Sequence, residues 1–583
     1  MFLAKKNSYF CSLFIINTQS LSLYNNLMLK KFFLFITICA LYAIAYGQSE
    51  HYDVHPKFTH EATPAERVLL QHWYQNAKGT TPPVAPVTAI SEFQPMSGVL
   101  IAYPLGIPVD LVRELSLVTQ VTVIVSSGQD STSAKYYFAS NGVNSNNVRY
   151  WLVNHDSYWV RDYGPWFILD GNDQIGIVDF TYNRPSRPHD DAAMQYFIQN
   201  LNVPSYEMSL VHTGGNYMVD GYGTAASTDL VLEENPNMTA ASVQSTAHDY
   251  LGIDNYMLLN DPLGEYIAHI DCWGKFLNVN KVLIAQVSAN DPRYNNYEAV
   301  ANTFANALTP WGDHYQVVRV YAPGNNATTP YTNSLILNDH VFVPIVGNSY
   351  DNAAITVYEN AMPGYTIVPI QQSNYTPWQN TDALHCRTHE LADLGMLYLK
   401  HYPLLGHQVF HESYDLPVTI KALSGQPLIT DSLLAYYRIN GGSWQSALMQ
   451  QDSGDVWHAT LTGLQADSEV DYYLFAKDAS GRRECLPYVG AADPFHFNLG
   501  GVGVEENAFA QLALYPNPTS DNIVLRGENL SSMTLYNQMG QQVMQVDLDD
   551  YMIVDCHTLP AGVYVAVIRN TDGQTCTKRV VKM

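Results

Sequence analysis

The sequence is poor in charge, and poorer still in basic charge. Only 14% of its residues are charged, and 29 lysines and arginines stand against 54 aspartates and glutamates, a formal net charge of −25. A surface of that sign repels phosphate backbones and anionic lipid and draws cations, which argues against nucleic acid as a partner. Long apolar runs are scarce too. The one candidate, Phe32 to Ala45, falls short of the roughly 20 residues a spanning helix needs, so no transmembrane span is expected in the mature chain. No internal repeat is legible. At 583 residues the chain is too long for one hydrophobic core, and roughly 150 residues per domain predicts about three or four units.

What the N-terminus does contain is ordered like a secretory signal. Lys30 and Lys31 precede the apolar run, which ends in Ala45-Tyr46-Gly47, so residues 28–47 read as a signal peptide, with a single membrane anchor as the alternative. Residues before Met28 read as an over-long start. Removing the signal takes away Cys11 and Cys39 and leaves Cys272, Cys386, Cys485, Cys556 and Cys576. An odd number in an exported chain asks what the unpaired thiol does. Cys556 and Cys576 lie close enough to pair, and spacing alone does not decide it.

From about residue 60 to 402, short apolar strands such as "SGVLIAYP", "VTVIVSS", "QIGIVDF", "KVLIAQV" and "HVFVPIV" alternate with helical patterns, for example Asp291 to Leu308. That alternation predicts a mixed α/β domain. Over residues 403–499 the pattern changes to short alternating strands between turn signals, the mark of a small β-sandwich of immunoglobulin type. Residues 500–507, "GGVGVEEN", read as a linker. Residues 508–583 are again β-like.

Three stretches of the α/β region carry polar residues inside apolar wording: "WVRDYGPWF" (Trp159 to Phe167), "YIAHIDCWGKF" (Tyr266 to Phe276) and "DALHCRTHELADLGML" (Asp382 to Leu397). His269 and Asp271 are two residues apart in strand-like sequence, which predicts both side chains on one face of a sheet. Cys386 precedes Leu391, Leu394 and Leu397, a spacing that predicts a helix whose N-terminus would favour the thiolate. Two carboxylates, an imidazole and a cysteine suit a guanidinium. Carboxylates of Asp162 and Asp271 would clamp its N–H edges, Cys386 would attack its central carbon, and His269 would serve as acid and then base. The product would be a ureido group.

These three motifs together resemble the guanidino-group-modifying (pentein) superfamily, and most closely its secreted bacterial peptidylarginine deiminases. The resemblance implies a five-bladed pseudo-symmetric α/β propeller, calcium-independent catalysis without a cofactor, and conversion of arginine in peptides or proteins to citrulline. It makes Asp162 and Asp271 the guanidinium ligands, His269 the acid/base, Cys386 the nucleophile and Asn333 in "PYTNSL" a supporting residue, with Trp159 and Tyr266 walling the slot. "YNRPSRP" resembles a segment whose arginines, here Arg184 and Arg187, hold the carboxylate of a C-terminal arginine. Two residues stand between them where the family has one, so the role of Arg187 stays open. The tail, with "LYPNPTSDNIVL" and "LPAGVYVAVIRN", resembles the C-terminal sorting domain of type IX secretion substrates, which implies export to the bacterial cell surface or beyond and a partnership with that machinery.

Other readings compete. An agmatine or free-arginine deiminase would share the chemistry, although the glycine-rich run usual before the cysteine of agmatine deiminases is replaced by "NTDALHC". His385 and His389 are spaced as on zinc-binding helices, without a third ligand at proper spacing. A non-enzymatic surface adhesin fits the C-terminal third and leaves Asp162 and the His-x-Asp wording unexplained. "HTGGNYMVDGYG" (His212 to Gly223) reads as a glycine-dependent turn near the site.

Overall fold

In the strand Met96–Tyr103, Val99, Leu100, Ile101 and Ala102 are at most 2% exposed, as a strand covered on both faces should be. This computed structural model describes residues 62–264, 267–323, 329–379, 382–500, 512–537, 541–571 and 573–583. The signal segment 28–47, Tyr266 and linker residues 501–507 lie outside the described residues.

One supersecondary unit recurs in the α/β region. A short strand runs antiparallel to a longer one, and a helix then returns the chain to a third strand parallel to the second. Trp166–Leu169, Ile175–Tyr182, helix Pro188–Leu201 and Ser205–His212 form such a unit. Met218–Val219, Thr224–Thr228, helix Ala240–Leu251 and Asn255–Leu259 form the next. Gly274–Phe276, Lys281–Gln286, helix Tyr294–Asn306 and Gln316–Tyr321 come third, then Leu335–Leu337, His340–Ile345, helix Asp351–Ala361 and Thr366–Gln371. In a further sheet the antiparallel strand comes from the far end of the region: His389–Ala392 pairs with Met96–Tyr103, which leads to the parallel strands Gln120–Val125 and Val148–Leu152. The repeat is therefore one of topology. The sequence hides it because each helix keeps only the spacing of its inward residues, such as Tyr297, Val300, Ala301 and Phe304, and not their identity.

The next region holds a four-stranded sheet containing Ser413–Ala422 and Val456–Thr462, and a six-stranded one containing Leu434–Ile439 and Glu469–Lys477. The strand Leu397–Lys400 pairs with Ser413–Ala422, so the second region's sheet begins before residue 402. One apolar core runs across this junction, from Trp273 and Phe276 to Val418 and Tyr472. Residues 512–583 form a three-stranded and a four-stranded sheet around their own core, which includes Ile523, Met533, Leu535, Ala566 and Val580. Cys556 and Cys576 are free thiols there and do not form a disulfide with each other. Among the described residues no helix is long and apolar enough to cross a membrane.

Candidate active site

Cys386 lies in a single 3-10 turn, His385–Arg387, and the chain leaves that turn as the strand His389–Ala392 rather than as a helix. Leu391 and its neighbours are drawn into pairing with Met96–Tyr103, so the expected helix N-terminus at the sulfur does not form. His269 and Asp271 depart from expectation in the same way. They belong to a 3-10 turn, Ile270–Cys272, with His269 as its N-cap, so they do not share the face of a strand. The turn sends the two side chains to different partners. His269 Nδ1 stands 3.7 Å from Oδ1 of Asp162, and Asp271 Oδ2 stands 3.4 Å from Sγ of Cys386 and 2.8 Å from Nδ1 of His385. Ala268, just before this turn, has φ +45°, a region costly for a residue with a Cβ. Its carbonyl is held by the Thr228 hydroxyl at 2.6 Å.

Trp159, Asp162, Asn183, Arg184, Arg187, Ile267, His269 and Cys386 line one small cavity. Asp162 reaches it from the turn before strand Trp166–Leu169, where its carbonyl accepts the Gly214 N–H at 2.9 Å. Its neighbour Arg161 turns away, and its two terminal nitrogens meet both oxygens of Glu390 at 2.9 and 2.5 Å. The arginine that could have neutralised Asp162 is thus committed elsewhere. Oδ1 of Asp162 and Oδ1 of Asp271 are buried, and neither accepts a hydrogen bond from the described residues.

Burial, and then the charge of Asp271, push the pKa of Asp162 up to about 8. Burial acts on Asp271 in the same direction. There it is outweighed by the hydrogen bond and charge of His385, with help from His269 and Lys275, which hold the carboxyl below its usual range. For Cys386, burial first, then a hydrogen bond with Cys272 and the charge of Asp271, push the thiol well up. The resting sulfur is a protonated thiol next to two carboxyl groups of opposite tuning.

Asn333 fastens the cysteine turn. Its Oδ1 accepts the N–H groups of Ala383 and Cys386 at 3.0 and 3.1 Å, and its Nδ2 donates to Sγ of Cys386 at 3.1 Å. Trp159 donates from Nε1 to Asp382 at 3.0 Å, and the Arg187 guanidinium lies 4.5 Å from its ring centroid. Arg184 is paired with Glu66, Nε to Oε1 at 3.1 Å, a carboxylate supplied by the chain itself. Gly215 explains the glycines of "HTGGNYM": a Cβ there would lie 2.5 Å from Nδ1 of His269 and 2.9 Å from Oδ1 of Asp162.

His385 is the participant the sequence reading misplaces. Its spacing from His389 suggests a zinc pair on a helix, but one sits in the 3-10 turn and the other in the strand. His385 reaches Asp271, whereas His389 Nδ1 lies 2.7 Å from the Glu390 carbonyl. Its adjacency to Cys386 is the signal the sequence offers.

Residues 107–391 match the family described as Porphyromonas-type peptidyl-arginine deiminase. The chain carries a deiminase domain of that family. Residues 513–583 match the secretion system C-terminal sorting domain. The agmatine deiminase of Pseudomonas putida is 24% identical over 302 residues, covering 45% of this chain and 80% of that protein. The agmatine deiminase of Medicago truncatula is 23% identical over 311 residues, 45% and 82%. Among solved structures, an agmatine deiminase of Enterococcus faecalis aligns with a TM-score of 0.47 at 21% identity, covering 55% of this chain and 96% of its own. The deiminase domain is thus a hydrolytic guanidino-group deiminase of the pentein superfamily, and the sorting domain indicates type IX secretion to the cell surface or beyond.

Proposed function

We propose that this exported enzyme hydrolyses the guanidino group of arginine residues in peptides or proteins to a ureido group, with release of ammonia. The observation that carries this reading is a pair of buried carboxylate oxygens near the Cys386 thiol: Oδ1 of Asp162, which lines the cavity with Cys386, and Oδ1 of Asp271, whose Oδ2 lies 3.4 Å from Sγ; neither Oδ1 accepts a hydrogen bond from the described residues. A buried carboxylate oxygen that accepts no hydrogen bond is costly, and a planar cation rich in N–H groups relieves both.

The chemistry comes from that placement. A guanidinium between the carboxyl groups stabilises the ionised form of Asp162 and brings positive charge beside Sγ, which favours loss of the thiol proton to His269. The thiolate then forms a bond to the guanidinium carbon. His269 returns the proton to one terminal nitrogen, the C–N bond breaks, and ammonia leaves a positively charged S-alkyl thiouronium. His269 next takes a proton from water as its oxygen bonds to the same carbon. The C–S bond breaks as the departing sulfur takes the remaining hydroxyl proton, which leaves the thiol and the ureido product, and His269 releases its proton to solvent. Asn333 keeps the sulfur aimed, and Trp159 walls the slot.

Around this site we read the recurring units and the sheet shared by residues 96–152 and 389–392 as the blades of a five-bladed propeller, the region from 397 to 499 as an immunoglobulin-like brace, and residues 28–47 as the signal for the first membrane. The named relatives favour a second reading, agmatine as substrate. Incubating the purified protein with agmatine, free arginine, and peptides with internal or C-terminal arginine, then assaying ureido product and ammonia, separates the two. Turnover that disappears in Cys386→Ala supports hydrolysis at this site; no ureido product from any guanidino compound removes it.

A further inference from the structure

The segment that precedes the α/β region reaches back to an arginine that lines the cavity. Helix Pro64–Leu70 starts at Thr63, whose hydroxyl accepts the N–H of Glu66. A little further on, Trp73 donates from Nε1 to the carbonyl of Tyr182 at 2.8 Å. The helix thus lies against the end of strand Ile175–Tyr182 and the turn after it, which carries Asn183, Arg184 and Arg187 to the cavity. Glu66 is only 2% exposed. Its Oε1 accepts from Arg184 Nε at 3.1 Å and from the Ser186 hydroxyl at 2.6 Å, and its Oε2 accepts from Arg184 Nη2 at 3.4 Å.

We infer that Glu66 is a specificity-determining residue, an internal carboxylate that neutralises Arg184, so that the site takes guanidino substrates whose arginine carries no free carboxylate. This rests on the deiminase reading and narrows its substrate class. A substrate arginine enters guanidinium first, which leaves its Cα and whatever is attached there near Arg184. A free carboxylate would meet an arginine whose fork already holds a carboxylate in two-point fashion. To take that place it would have to displace Glu66 and leave it buried without its cation. An amide-linked arginine, or an alkylguanidine with nothing at Cα, meets a neutral pair and displaces nothing. Selection against the wrong substrate by an occupied partner is a form of discrimination by repulsion.

The test compares two ligands that differ only in the carboxylate, benzoyl-arginine amide and benzoyl-arginine, on the full exported chain and its Glu66→Gln variant. The wild-type protein should favour the amide by about tenfold or more in kcat/KM, and the variant should cut that ratio by about tenfold, chiefly through a lower KM for the acid. Glu66→Asp, one methylene shorter, should fall between them. Should Glu66→Gln fail to fold by circular dichroism, Glu66→Asp carries the same comparison. Equal ratios in wild type and variant, or a wild-type preference for the acid, overturn the inference while leaving the deiminase intact. Calorimetric binding of both ligands to Cys386→Ala separates the remaining outcomes. Discrimination in binding without turnover in wild type sinks the deiminase reading alone, and neither binding nor turnover sinks both.

Discussion

Oδ2 of Asp271 is shared: Nδ1 of His385 stands 2.8 Å from it and Sγ of Cys386 3.4 Å. Behind His385, its Nε2 lies 3.1 Å from Oε2 of Glu92, which Nζ of Lys275 also holds at 2.7 Å. A cavity of about 60 Å³ borders these groups, and the row of charges keeps Asp271 anionic next to a thiol that burial keeps neutral.

His385→Leu tests that row. Asp271 titrates below the usual carboxylate range in the folded protein because His385 outweighs burial. Removing His385 should therefore raise the Asp271 pKa, and the acid limb of kcat/KM should move to higher pH. A merely structural role would lower Tm and leave the limb in place. The pH profile of the variant decides between them.

Asp162 has the opposite sign. Its folded pKa, about 8, lies above the ordinary value of 3.8, so the folded chain holds a proton that the unfolded chain has released between those two values. Its contribution to stability is complete below about pH 4 and is lost as pH rises toward 8. Asp162→Asn removes the titration. The variant should gain about 1–3 °C in Tm relative to wild type at pH 8 and nothing at pH 4. Its kcat/KM should fall about 100-fold or more, because a neutral amide no longer balances the guanidinium. Scanning calorimetry at the two pH values checks the first claim, and an ammonia assay checks the second.

Much of this was legible in the sequence, and the failures share one physical origin. Strands such as Met96–Tyr103 and Lys281–Gln286 are read from short continuous apolar runs, buried on both faces, and the helix Tyr294–Asn306 from inward residues that recur at three and four. The turns that carry chemistry have no period. "HIDC" reads as a strand and "HCRTHEL" as the start of a helix because stretches of four and seven residues fit either template. What settles them is contact with distant parts of the chain, Asn333 against Cys386 and Met96–Tyr103 against His389–Ala392. The ion pair of Glu66 with Arg184 spans 118 residues, and nothing local to either residue announces it.

Gly215 tests how closely the backbone crowds His269 and Asp162. Gly215→Ala would place a methyl group 2.5 Å from Nδ1 of His269 and 2.9 Å from Oδ1 of Asp162, well inside contact distance. Because side-chain atoms at the cavity are what it meets, they can yield into the space a substrate would fill. The variant should keep its circular dichroism spectrum and lose about 100-fold or more in kcat/KM. An active Gly215→Ala protein would mean that His269 and Asp162 work from positions other than these.

Asn333 separates holding the turn from tuning the sulfur. Asn333→Ala leaves the buried N–H groups of Ala383 and Cys386 without their acceptor, at a cost of about 1–3 kcal/mol for each, so Tm and activity should fall together. Asn333→Asp keeps an acceptor for both amides. It replaces the Nδ2 donor 3.1 Å from Sγ with a carboxylate oxygen, which disfavours the thiolate. In that variant Tm should stay closer to wild type than in Asn333→Ala, while Cys386 should react more slowly with iodoacetamide and reach its half-maximal rate at higher pH. Equal alkylation profiles in wild type and Asn333→Asp would show that the side chain holds the turn without acting on the sulfur.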